Sequence, residues 1–148
     1  MDLGNAAPDQ CRVQPVIRVI LWLLAAVSAV NAVWMLAHAW SWFRWIPGVT
    51  DTGVANAHFI HDVGIVYLLC AGGLLWCTRR PERGYPLFIG IALFFIGHAL
   101  GHVAEILAGQ LPISHWLIDL PLVFAPAVLL AVLACPPVWR RVAPSGRA

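Results

Sequence analysis

From Val16 to Ala39 the chain runs 24 residues with a single fixed charge, Arg18. About 20 apolar residues suffice to cross a bilayer, so this run reads as a transmembrane helix with some tilt. Ala25, Ala29 and Ala32 give it a stripe of small residues suited to close helix packing. A cleavable signal peptide is the competing reading, since Val30-Asn31-Ala32 resembles a processing site. The length of the run argues against it, and so do Asp2 and Asp9, which spoil a positive leader.

Three further segments have the same character: Ala57 to Trp76, Pro86 to Ala108, and Ile113 to Ala134. Pro121 and Pro126 inside the last are tolerated in membrane helices and predict a kink. Between the spans lie an aromatic belt (Trp40 to Trp45), a turn-rich loop (Ile46 to Gly53), a basic turn (Thr78 to Gly84) and a tight turn (Gly109 to Pro112). Asn56 is placed to cap the second span, and Pro136-Pro137 to end the fourth. Residues 1–15 read as an irregular polar tail. Only 11% of the chain is charged and 61% is hydrophobic, whereas soluble domains carry roughly 25% charged residues. The expectation is an all-α polytopic membrane protein. It has one domain, residues 1–148, and four transmembrane helices at about 16–39, 57–76, 86–108 and 113–134 in an up-down-up-down bundle.

Arginine sets the orientation, because all nine basic residues are Arg. Arg12, Arg18, Arg79, Arg80, Arg83, Arg140, Arg141 and Arg147 fall on one side of such a bundle, and Arg44 alone on the other. The positive-inside rule then puts both termini in the cytoplasm of a bacterial-type inner membrane. The net charge of +2 on so apolar a chain gives nucleic acid no purchase. Cys11, Cys70, Cys77 and Cys135 fall toward the cytoplasmic side without a CxxC pattern, and read as packed thiols.

The same orientation collects all six histidines in the outer half. His38 ends the first span, and His58, His61 and Asp62 open the second. His98, His102 and Glu105 form a stripe on the third, and His115 and Asp119 open the fourth. In each cluster the residues stand three or four apart, which puts them on one helix face. By helical rise, His61, Asp62, His102 and Asp119 share one layer, with His38 nearby. His98 lies below that layer, where packing is its simplest role; Glu105, His58 and His115 lie above. Gly97 and Gly101 add a GxxxG spacing that predicts tight helix contact beside the stripe.

Carboxylates in a membrane with almost no fixed cation must be protonated, paired with imidazolium, or bound to a metal. The nine residues His38, His58, His61, Asp62, His98, His102, Glu105, His115 and Asp119 are therefore candidate metal ligands. Their mixed nitrogen and oxygen donors suit Fe, Zn, Cu(II) or Mn. The implied function is a metal-dependent membrane oxidoreductase or hydrolase. A bis-histidine b-type haem, for example between His38 and His102, is the alternative cofactor, although haem leaves the carboxylates unexplained. A small proton or metal transporter, or a non-catalytic bundle specified by hydrogen bonds, would also account for polar residues at these positions. The expected surroundings are the lipid bilayer, with a lipid, a quinone or a periplasmic solute as ligand; a homo-oligomer is compatible with the sequence.

Overall fold

A computed structural model describes the backbone of residues 8–142 and the side chains of residues 15–142. Among these residues the protein is all-helical, with no strand. The elements are α1 (Pro8–Ala37), α2 (Ala39–Trp45), a 3₁₀ turn (Val49–Thr52), α3 (Ala57–Arg79) and α4 (Pro81–Leu107). After these come α5 (His115–Ile118), a π-helical turn (Leu120–Phe124), α6 (Ala125–Ala134) and α7 (Pro136–Val142).

Among the described residues three helices are long and apolar enough to cross a membrane: Pro15–Ala37, Ala57–Arg79 and Pro81–Leu107. A fourth crossing exists only if the pair Leu120–Ala134 and Pro136–Val142, bent by 84°, is one broken span. The bend has a local cause. Cys135 precedes a proline, which disfavours helical backbone, and it adopts φ −61°, ψ 127°. Trp139 on α7 then folds back onto Phe88, with ring centroids 4.6 Å apart, and Tyr85 Oη–H donates to the Ala134 carbonyl at 2.8 Å. α7 thereby closes one end of the core.

The helices pack in sequence: α1 along α3, α3 against α4, and α4 against α6. The core between them holds Leu21, Leu74, Phe88 and Leu130, all with no exposed surface. Of the small-residue stripe of α1, Ala25 and Ala32 are buried, whereas Ala29 is half-buried and lines a groove on that helix. Large apolar side chains such as Leu23, Val30, Leu69, Leu93 and Leu100 point outward, the distribution expected of helices whose solvent is lipid. The GxxxG spacing does not act as expected. A Cβ on Gly97 or Gly101 would meet nothing within 4 Å, so among the described residues no other helix packs closely against these glycines.

The ends of the elements depart from the sequence pattern in instructive ways. Helix begins at Pro8, not after residue 15, and continues through Pro15 at the loss of one backbone hydrogen bond. The basic turn shrinks to a single residue, Arg80, because Pro81 opens α4 at a position whose N–H has no helical partner anyway. So tight a hairpin brings α4 onto α3. A Cβ on Gly84 would lie 2.9 Å from the Cys77 Cα, hence the glycine. Asn56 caps α3 as expected, its Oδ1 accepting from Phe59 N–H at 3.2 Å. Cys70, Cys77 and Cys135 are free thiols; the side chain of Cys11 lies outside the described residues.

Candidate metal centre

The polar residues that converge lie where α4, α5 and the loop before α3 meet. His102 projects from α4. His115 and Asp119 stand four apart across α5, a one-turn helix begun by His115 N–H donating to the Pro112 carbonyl. Immediately after Asp119 the helix widens into the π turn. The Asp119 carbonyl accepts from both Val123 N–H at 2.8 Å and Phe124 N–H at 3.1 Å. Pro121, which has no N–H to give, sits inside this turn. The expected proline kink is thus a local π register directly below the buried carboxylate. Such π turns recur at functional sites.

Asp119 Oδ2 lies 2.8 Å from His102 Nδ1 and 2.9 Å from His115 Nδ1. With a proton on each Nδ1, one carboxylate oxygen accepts two hydrogen bonds. The other nitrogen of His115, Nε2, lies 3.2 Å from Asp51 Oδ2. His115 is wholly buried, Asp119 is 6% exposed in its side chain, and Asp51 is 42% exposed. Among the described residues no arginine pairs with either aspartate. The imidazoles alone compensate the buried carboxylate.

Asp51 reaches His115 because of how the loop is built. Gly48 takes the left-handed φ of +81°, and the Val49–Thr52 turn follows, closed by Thr52 Oγ1–H donating to the Val49 carbonyl at 2.7 Å. Gly48 also lies against His115: a Cβ there would come within 2.7 Å of His115 Cε1 and 2.9 Å of Ile118 Cγ2. Conformation and space both require glycine at this position.

Burial disfavours a charge on His115, but the hydrogen bonds and charges of Asp119 and Asp51 outweigh it and raise its pKa above the ordinary imidazole value. The geometry agrees: only an imidazolium can donate to carboxylates through both nitrogens.

His102, His115 and Asp119 could hold a metal ion, since a donor atom from each lies within 4.8 Å of the others. The remaining candidates are placed elsewhere. His98 extends the stripe of α4, its ring 4.8 Å from that of His102. It is enclosed by Phe94, stacked at 6.2 Å, and by the edge of Tyr67 at 6.4 Å. Glu105 is half-buried on α4 without a side-chain partner among the described residues. His58 and Asp62 are 3.6 Å apart on the exposed face of α3. His61 lines a separate pocket with His38 and Arg44. His115, expected above the layer of His102 and Asp119, bonds the same Asp119 oxygen as His102, and Asp51, which no helical spacing picks out, is its other partner. The turn-rich loop with its two flanking glycines was the only trace of Asp51 in the sequence. No known protein family, curated protein or solved structure matches the chain.

Proposed function

We propose that the protein is a multi-pass membrane metalloprotein whose centre is His102 Nδ1, His115 Nδ1 and Asp119 Oδ2. The observation that carries this reading is the buried Asp119 oxygen held between two imidazole nitrogens at 2.8 and 2.9 Å, paired with no arginine among the described residues. In this arrangement protons occupy the space between donor atoms, and a metal cation can replace them. Tetrahedral ligand atoms stand about 3.3 Å apart at ordinary metal–donor distances of about 2.0–2.1 Å. Small side-chain rotations therefore convert the hydrogen-bonded set into a ligand set.

Asp51 supports the same assignment. Metal ligation by His115 Nδ1 requires the remaining proton on Nε2, and Asp51 Oδ2 is there to accept it. A carboxylate behind a ligating histidine is the usual device for fixing tautomer and ring orientation. Two histidines and one carboxylate suit zinc or iron(II) and leave coordination positions open for water or substrate. A metal in such a set supplies Lewis acidity, or redox chemistry if it is iron. The function we assign is accordingly metal-assisted hydrolysis of a lipid or small solute, or its oxidation with dioxygen or a quinone as electron acceptor, at the outer face of the membrane. The distribution of arginine carries the orientation: termini in the cytoplasm of an inner membrane, and the 46–56 loop with the site outside.

Elemental analysis of purified protein tests the centre directly. Reconstitution with zinc or iron(II) should give one ion per chain, and His115→Ala and Asp119→Asn should abolish it. A folded wild-type protein that retains no stoichiometric metal would overturn the reading. Reporter fusions to the 46–56 loop test the orientation, and a cytoplasmic reporter there contradicts it.

A further inference from the structure

A second polar cluster lies at the loop-bearing end of α1 and takes no part in the Asp119 network. α1 stops at Ala37 because His38 leaves helical geometry, with φ −145° and ψ 57°. α2 then turns back against α1: Trp42 Nε1–H donates to Asn31 Oδ1 at 2.8 Å, eleven residues away. An uninterrupted helix would hold those positions about 16 Å apart. Trp34 Nε1–H adds a bond to Ser41 Oγ at 3.3 Å.

The break opens a pocket of about 450 Å³ whose polar lining is His38, Ser41, Arg44 and His61. No carboxylate lines it, and Arg44 makes no ion pair among the described residues. Asp62, next to His61, is turned toward His58 on its own helix. Sharing Ala37 and His38 with this pocket is a groove of about 560 Å³ along α1, lined by apolar groups that include Val33 and Trp34. A guanidinium and two imidazoles thus stand at the head of an apolar groove on a helix of membrane-spanning length.

We propose that this is a binding site for an anionic phospholipid. Its phosphate would lie against Arg44, with His38 and His61 donating, and one acyl chain would follow the groove past Val33 and Trp34. A phosphate accepts from the guanidinium fork in a way few other groups match. A zwitterionic lipid brings its own cation into a pocket that already holds one, so the site favours a head group of net negative charge. Trp40 and Trp45 are exposed on either side of Arg44, and aromatic residues of this kind favour the depth at which head groups meet chains.

The test is lipid retention by the full chain in nanodiscs of equimolar phosphatidylglycerol and phosphatidylcholine, read by native mass spectrometry after release into detergent. Wild type should retain phosphatidylglycerol in about tenfold preference, the scale of one charge-assisted contact. Arg44→Gln should bring the preference close to one, and Arg44→Lys should keep part of it. Metal content and helicity should be unchanged in both, which separates this site from the Asp119 centre. Equal retention of the two lipids by wild type, or a preference indifferent to Arg44→Gln, would overturn the proposal. So would full displacement by millimolar inorganic phosphate, because the pocket would then bind a free anion and not a lipid.

Discussion

His115 Nδ1 lies 2.9 Å from Asp119 Oδ2, one helical turn along, and both side chains are buried. The same oxygen takes His102 Nδ1 at 2.8 Å. A single carboxylate therefore ties α4 to α5 and, through His115, to the Asp51 loop. Its removal should be felt as stability as well as chemistry.

Asp119→Asn keeps the shape and removes the charge. Two bonds to a carboxylate become at best two bonds to an uncharged amide oxygen, and His115 keeps only its partly exposed charged partner Asp51. The expected loss is about 2–3 kcal/mol of unfolding free energy in detergent, measured without metal. A loss under about 0.5 kcal/mol would mean that the network does not hold the helices together. Asp51→Asn should cost less, because that carboxylate is 42% exposed and solvent screens it.

The pH dependence has opposite signs with and without metal. His115 has its pKa raised above the ordinary 6.5 in the fold. Its contribution to stability is therefore complete below about pH 6.5 and is lost as pH rises through the raised folded value. Metal-free protein should show a falling melting temperature over that window. Metal must displace the protons, so metal affinity should rise with pH across the same window. Melting curves with and without zinc between pH 5.5 and 9 (a range set by the imidazole titration) check both slopes. Parallel slopes would separate His115 from the metal.

Much of this architecture was legible in the sequence because lipid leaves a chain few choices. A run such as Val16–Ala39 must be helical wherever it lies in a bilayer, and it is helical as far as Ala37, where His38 breaks it. The spacing of His115 and Asp119 likewise puts them on one face, and they do bond. Spacing within one helix does not say which way that face turns. His58 and Asp62 satisfy the same rule, yet packing of α3 against α1 and α4 leaves them on its exposed side. Depth was harder still. The rise of a regular helix sets His115 a turn above Asp119 and His102, yet its side chain reaches the same Asp119 oxygen that His102 does. Asp51 lies 64 positions from His115 and in a loop, where no periodicity operates.

Phe88 offers a control remote from the polar site. It has no exposed surface and stacks on Trp139 of α7. Phe88→Ala should cost about 3–5 kcal/mol by loss of burial and creation of a cavity. Because α7 folds back through this contact, hydrogen exchange should quicken in residues 136–142 while metal stoichiometry stays at one. Loss of metal in this variant, with helicity intact, would show that the centre depends on the whole core and not on the α4–α5 junction.

Gly48 gives the sharpest test of the loop, since it is not a ligand in any reading of the site. Its φ of +81° costs a side-chain-bearing residue about 1–2 kcal/mol, and an added Cβ would lie 2.7 Å from His115 Cε1. The imidazole is wedged between two carboxylates and cannot retreat without breaking one of its bonds. Gly48→Ala should therefore lift the loop and separate Asp51 from His115. Two measurements should then move together. Amide exchange in residues 48–53 should accelerate, and metal affinity should fall about tenfold, the lower end of what loss of a histidine's outer partner costs. Asp51→Asn should reproduce the affinity loss without the change in exchange. If Gly48→Ala loosens the loop and metal affinity holds, then Asp51 does not orient His115, and the loop is only a cover.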